Sequence, residues 1–224
     1  MNSAADAPVP RVSLRPVGSP LSIGMAGLGI ASLIQSGYDL HWIAGSEALK
    51  VGLILIAVPF VMQGLATIFA YLARDGTAGY ALGVLAASWL AIGLVHVAAP
   101  ADRRSGALGL MMLASAGMLG LAAVAVMSAK PLPAAVFGVE ALRFAVAGIY
   151  ELGGPAFWRH FAGIAGLVVI AGAAYCALAF ALEDQQRRPV LPTLRRGRGR
   201  DAVAGAPAEA LDDVLHDPGV RQTT

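Results

Sequence analysis

GALGLMMLASAGMLGLAAVAVMS, residues 106–128, runs for 23 positions without one charged side chain. A helix needs about 20 consecutive, mostly apolar residues to cross the hydrocarbon core of a bilayer. The stretch therefore reads as a membrane span, and its neighbours repeat it. Working outward, further spans are expected at 134–150 and 158–182 on one side, and at 77–97, 50–73 and 21–38 on the other. The breaks between them, at 39–47, 74–76, 100–105, 130–133 and 151–155, carry charge, Gly or Pro, as helix ends do. Pro8 and Pro10 precede the first segment and no small-x-small site closes it cleanly, which favours a span over a cleaved signal peptide. The fold class expected is all-α: a polytopic six-transmembrane-helix bundle.

Composition agrees. Of 224 residues, 57% are hydrophobic and 13% charged, with a mean hydropathy of +0.68. A soluble domain carries about 25% charged residues. Half of that cannot cover a water-facing surface, which excludes a soluble enzyme, a disordered chain and a nucleic-acid binder. The 27 glycines have no G-X-Y period and suit close helix contacts in lipid. Small residues at helical spacing recur at Gly24 and Gly27, Gly79 and Gly83, Gly106 and Gly109, and Ala162 and Gly166. Cys176 stands alone in an apolar run and reads as a small hydrophobe.

Charge gathers at the C-terminal end. Residues 20–182 hold seven Lys/Arg and six Asp/Glu; residues 183–224 hold seven of each. The chain divides into an N-terminal tail (1–19), a six-helix transmembrane domain (20–182) and a mostly disordered C-terminal tail (183–224), with disorder expected from Leu191 onward. Cytoplasmic placement of both tails puts 11 Lys/Arg inside and four outside, Arg143 aside. A multi-pass protein of the inner or plasma membrane is expected, with the lipid bilayer as its surroundings.

Polar residues inside spans must find a partner or line a wet path. Pro59 should kink the second span or free a carbonyl. Gln63 and Thr67, four apart, share a face of the same span. Ser88 stands beside Trp89, with His96 near the end of the third span; the sixth holds His160 and Tyr175. Glu140 and Arg143, three apart, form either a self-satisfied pair or the wall of a solvated path. No His/Asp/Glu cluster has metal-ligand spacing, and no Ser/His/Asp set is tied together. Neither a catalytic residue nor a metal ligand is expected, so nothing here argues for an enzyme.

Three stretches resemble the acetate uptake transporter family, the succinate–acetate permease-like proteins. Gly18-Ser19-Pro20-Leu21-Ser22-Ile23 is similar to the family's N-P-A-P-L-G-L, which opens its first helix. Gln63-Gly64-Leu65-Ala66-Thr67-Ile68-Phe69-Ala70 is similar to G-G-x-A-Q-x-x-A-G. The third stretch runs from His160-Phe161-Ala162-Gly163 through Tyr175 and Ala177 to Val190-Leu191-Pro192, where the family has H/K-x-A-G, a tyrosine and a final L-P. The likeness spans about 18–192. It departs from the pattern at Val17 for asparagine, Gly18 for proline, Ser22 for glycine, Thr67 for glutamine and Phe180 for glutamate.

The resemblance implies a six-helix bundle assembled as a homo-oligomeric ring, a hexamer, with no cofactor. Each subunit would carry its own path for a small monocarboxylate such as acetate, often linked to protons. The family's narrowing slots fall near Ala26, Leu85 and Glu140. The substrate-path candidates are therefore Pro20, Leu21, Ser22, Gln63, Thr67, Leu85, Ser88, Glu140, Arg143 and Tyr175. Two other readings stay open: a channel for a small neutral solute such as urea or an amide, and a non-transporting scaffold that works through its tail.

Overall fold

The structure, a computed structural model, describes residues 18–98, 103–186 and 188–196. Seven α-helices are described: α1 Pro20–Asp39, α2 Ala48–Leu55, α3 Val61–Leu72, α4 Gly76–Ala98, α5 Gly106–Met127, α6 Pro131–Glu151 and α7 Phe157–Gln186. A π-helical segment, Ile56–Phe60, joins α2 to α3, so these two make one span. Six helical segments are long and apolar enough to cross a membrane. Each matches an expected span to within a few residues. The largest differences are at the second span, which starts five residues early at Gly45, and at α7, which runs four residues past the expected end at Leu182.

The helix ends follow local chemistry. Pro20 and Pro131 open α1 and α6, where a missing backbone N–H has no bond to lose. Ser105 caps α5 by accepting from the Leu108 N–H at 3.2 Å. Beyond α1, His41 takes a left-handed φ of 62°, which turns the chain away from the helix axis. Pro59 lies inside the π segment, where widening the helix accommodates its missing donor. The expected irregularity at Pro59 is therefore present as a π turn.

Glycines set the closest crossings. A Cβ on Gly148 of α6 would stand 2.8 Å from the Gly109 carbonyl of α5, and one on Gly109 2.9 Å from the Gly148 carbonyl. Gly52 and Gly93 make the same reciprocal approach between α2 and α4. Backbone cannot yield as a side-chain tip can. Gly148→Val is therefore expected to destabilise the bundle by about 1–3 kcal/mol, as overpacking does, read as a lower unfolding midpoint in detergent. Gly24, Gly27, Gly79 and Gly166 also meet neighbours closely, as their spacing predicted, whereas Gly106 faces open space.

Leu21, Met25, Leu28, Leu82, Leu85, Trp89, Phe137, Phe144 and Phe180 fill the interior. Cys176 is buried among them. Leu110, Leu121, Val124, Ile164, Val168 and Leu178 point outward, as lipid-facing side chains must.

The start of α1 lies beside the end of α7, where the Ser19 N–H donates to Asp184 Oδ1 at 3.3 Å. At this same end Asp75 accepts from the Ala78 N–H (3.2 Å) and the Thr77 hydroxyl (3.1 Å), and pairs with Lys130. Burial pushes the Asp75 carboxyl up. The Lys130 charge and these hydrogen bonds outweigh that and hold it below its ordinary value. Its contribution to stability is thus present above the unfolded carboxyl's pKa and is lost as pH falls through the lower folded value. The stability difference between wild type and Asp75→Asn should shrink on acidification, measured as unfolding midpoints across an acid series.

Leu191–Arg196 departs from the disorder expected of it. Tyr175 donates to the Pro192 carbonyl at 3.0 Å, the Arg196 N–H donates to the Ala129 carbonyl at 3.1 Å, and Thr193 is buried. Arg195 pairs with Glu183 and lies over the Phe180 ring. The rest of the tail, 197–224, and residues 1–17 lie outside the described residues.

Candidate functional site

At the bundle end opposite Gly18 and Gln186, an apolar helix carries a polar stripe. Ser32, Gln35, Ser36 and Asp39 of α1 recur at i, i+3, i+4 and i+7, one face of a helix. All four are buried. Groups of that kind in a membrane interior require partners; α6 and α7 supply them to Ser32 and Asp39 and α4 to Gln35, while Ser36 Oγ has none among the described residues.

Arg143 of α6 donates through Nη1 to Ser32 Oγ at 3.1 Å and to the two carboxylate oxygens of Glu140 at 3.2 and 3.4 Å. Its Nη2 stands 3.9 Å from Asp39 Oδ2. Arg159 of α7 places Nε 3.7 Å from Asp39 Oδ1 and donates through Nη2 to the Tyr38 carbonyl at 3.1 Å. Gln35 donates to Asp39 Oδ1 at 3.0 Å and meets His96 Nε2 of α4 at 3.2 Å. Two buried arginines thus face two buried carboxylates. Gly166 of α7 makes room for this: a Cβ there would run into Ser36 Oγ and reach the Arg143 guanidinium at 3.0 Å.

Above the network lies a cavity of about 50 Å³. One water needs roughly 10–15 Å³ of such space, so the cavity fits a molecule of a few heavy atoms. Arg143, Arg159, Arg103 and Arg104 line it, against the carboxylates of Asp39 and Glu151. Arg104 lies over the Tyr150 ring at 4.3 Å, and Glu151 accepts from the Ser105 N–H at 2.7 Å. Trp89, Ile92, Leu108, Met112 and Phe144 supply apolar wall. The Trp89 and Phe144 rings meet edge-on at 5.5 Å.

The expected path residues divide. Glu140 and Arg143 do pair, and Arg143 reaches the cavity wall. One turn deeper, Leu85 is wholly buried in the hydrophobic core. Gln63 Nε2 donates to the Gly24 carbonyl at 3.2 Å while its buried Oε1 has no partner among the described residues, and Thr67 donates to the Gln63 carbonyl at 2.8 Å. Ser88 donates to the Val84 carbonyl and meets Ser115 Oγ at 2.9 Å, tying α4 to α5. Pro20 and Leu21 are buried in the first turn of α1, and the Ser22 hydroxyl donates to the Ser19 carbonyl. Tyr175 lies outside the interior, 37% exposed, and holds the returning C-terminal segment. Gln63, Thr67, Leu85, Ser88, Glu140 and Tyr175 are not on the cavity wall. Leu85 and Phe137 belong to the hydrophobic core that continues from the Phe144 wall.

Asp39, Arg159 and Gln35 were not anticipated. Asp39 falls in an expected break, and Arg159 at the outer end of the sixth expected span, tallied with the outside charges. The four-residue stripe on α1 is the sequence signal that finds Asp39 and Gln35; Arg159 has no comparable signal.

No protein-family model and no curated protein matches the chain. The fold does match a solved structure, that of the bacterial acetate channel SatP, with a TM-score of 0.69 and 21% identity over 80% of this chain and 99% of that one. The chain shares the six-helix architecture of that bacterial channel.

Proposed function

We propose that the protein is a membrane passage for a small monocarboxylate such as acetate, which enters through the arginine-lined cavity. The observation that carries this reading is the wall itself: four arginines against two carboxylates around a space of about 50 Å³ in an apolar bundle. Such a wall focuses positive potential on an entering anion. The fold of the acetate channel supports it. Glu140 in a narrowing slot would repel an anion if bare, but Arg143 holds both of its oxygens. The Leu85, Phe137 and Phe144 layer closes the centre here, so passage requires those side chains to move.

With both termini cytoplasmic, the cavity opens away from the cytoplasm of the cell membrane. Subunits assemble as a hexamer, each with its own passage, and proton linkage belongs to the same reading.

A substrate panel in reconstituted vesicles tests it. Acetate should permeate, and urea and acetamide should not. Permeation by the neutral solutes alone would install the neutral-channel reading instead. Removing residues 197–224 spares the contacts of Thr193, Arg195 and Arg196, so a passage should keep its flux, whereas a tail-based scaffold would lose its function.

A further inference from the structure

His41 lies in the turn after α1, and His160 in the first turn of α7. Both side chains are exposed, and their ring centres stand 5.5 Å apart with planes tilted by 32°. Among the described residues neither imidazole has a hydrogen-bond partner. The chain around them is pinned. Leu40, just before His41, packs on Gly163, one turn after His160: a Cβ on Gly163 would stand 2.6 Å from Leu40 Cγ and 3.3 Å from Asp39 Cβ. The His41 N–H donates to the Tyr38 carbonyl at 3.2 Å, and the Trp42 and Ile43 N–H groups both return to the Gly37 carbonyl. His41 itself holds a φ of 62°, a left-handed position usually given to glycine. The fold thus fixes where both histidines leave the backbone and leaves their rings free to turn.

Two imidazoles so placed suit a transition metal. Zn²⁺ binds imidazole nitrogen at about 2.0–2.1 Å, which sets the ring centres of a two-histidine site roughly 4.5–5.5 Å apart for N–metal–N angles of about 90–120°. The separation of 5.5 Å lies at the top of that range, and the His χ2 torsion turns over a broad well. Sequence spacing could not show this pair, because it joins α1 to α7. Among the described residues no third metal-binding side chain joins it, so water would fill the remaining positions.

We propose that His41 and His160 form an open two-histidine site for a divalent transition metal, Zn²⁺, Ni²⁺ or Cu²⁺, which staples α1 to α7 at the cavity end of the bundle. This goes beyond the carboxylate reading and stands without it. Imidazole is a ligand these ions share, whereas Mg²⁺ and Ca²⁺ take oxygen ligands. Asp39 and Arg159, two residues and one residue before the histidines, both line the cavity and stand 3.7 Å apart. A metal on the histidines would fix the spacing of those two charged walls.

Calorimetry on the purified full-length chain, in detergent and without an affinity tag, tests the site. The wild type should bind Zn²⁺, and its unfolding midpoint should rise with zinc and not with magnesium. His41→Asn keeps a residue that tolerates the left-handed turn, and His160→Gln keeps a good helix former. Each removes one ligand, so each should weaken zinc binding roughly ten-fold or more and leave the metal-free midpoint in place. A second measurement needs no substitution: Cu²⁺ on the wild type should show two coupled imidazole nitrogens in its paramagnetic resonance spectrum. Absence of zinc binding, zinc binding that survives either substitution, or a copper spectrum with fewer than two nitrogens overturns the staple. None of these measurements uses acetate, so their failure leaves the passage reading standing, and a chain that carries no acetate still binds the metal.

Discussion

Arg143→Leu is expected to destabilise the bundle by about 3–5 kcal/mol, the cost of leaving a buried charge without its partner. The reason is geometric. Arg143 is the hydrogen-bonding ion partner of Glu140, which has no measurable exposure, and it also supports Ser32 and faces Asp39. The double variant Glu140→Leu/Arg143→Leu should be markedly more stable than Arg143→Leu alone. It removes both members of the pair, while Asp39 keeps Arg159 and Gln35. Unfolding midpoints of the wild type, both single variants and the double variant, measured in one detergent, give the coupling directly. Additive losses would mean that the pair is not coupled.

Phe144→Ala is the second large effect. Phe144 is buried, lies edge-on to Trp89 and forms cavity wall. Truncating a core phenylalanine costs about 3–5 kcal/mol. Here the lost volume also enlarges the cavity toward the Leu85 layer. The variant should therefore melt earlier and admit longer acids: butyrate flux should rise relative to acetate flux. A stability loss with no change in chain-length preference would place Phe144 outside the passage.

The spans were legible because the physics of the bilayer is coarse. Twenty apolar residues and a charged break suffice, and residues 106–128 show both rules at once. The Glu140–Arg143 pair was legible from spacing, since i and i+3 share a helix face. Asp39 was not, because an acidic residue at the end of an apolar run looks like a loop until the stripe Ser32, Gln35, Ser36 is read with it. Gln63 was legible only in part, for another reason. An amide in a span needs a partner, but sequence does not say which. Gly24 and Gly27, having no side chains, let α1 come close enough for the Gly24 carbonyl to serve. The Tyr175 hydroxyl is likewise satisfied by Pro192, 17 residues on, across a chain reversal that no local pattern announces.

Uptake of labelled acetate into vesicles holding the purified full-length chain bears most directly on the whole account. Saturable uptake above protein-free vesicles, weakened by Arg143→Leu in the fraction that remains folded, is the predicted result. Uptake indistinguishable from protein-free vesicles, at acidic and neutral pH alike, would contradict it.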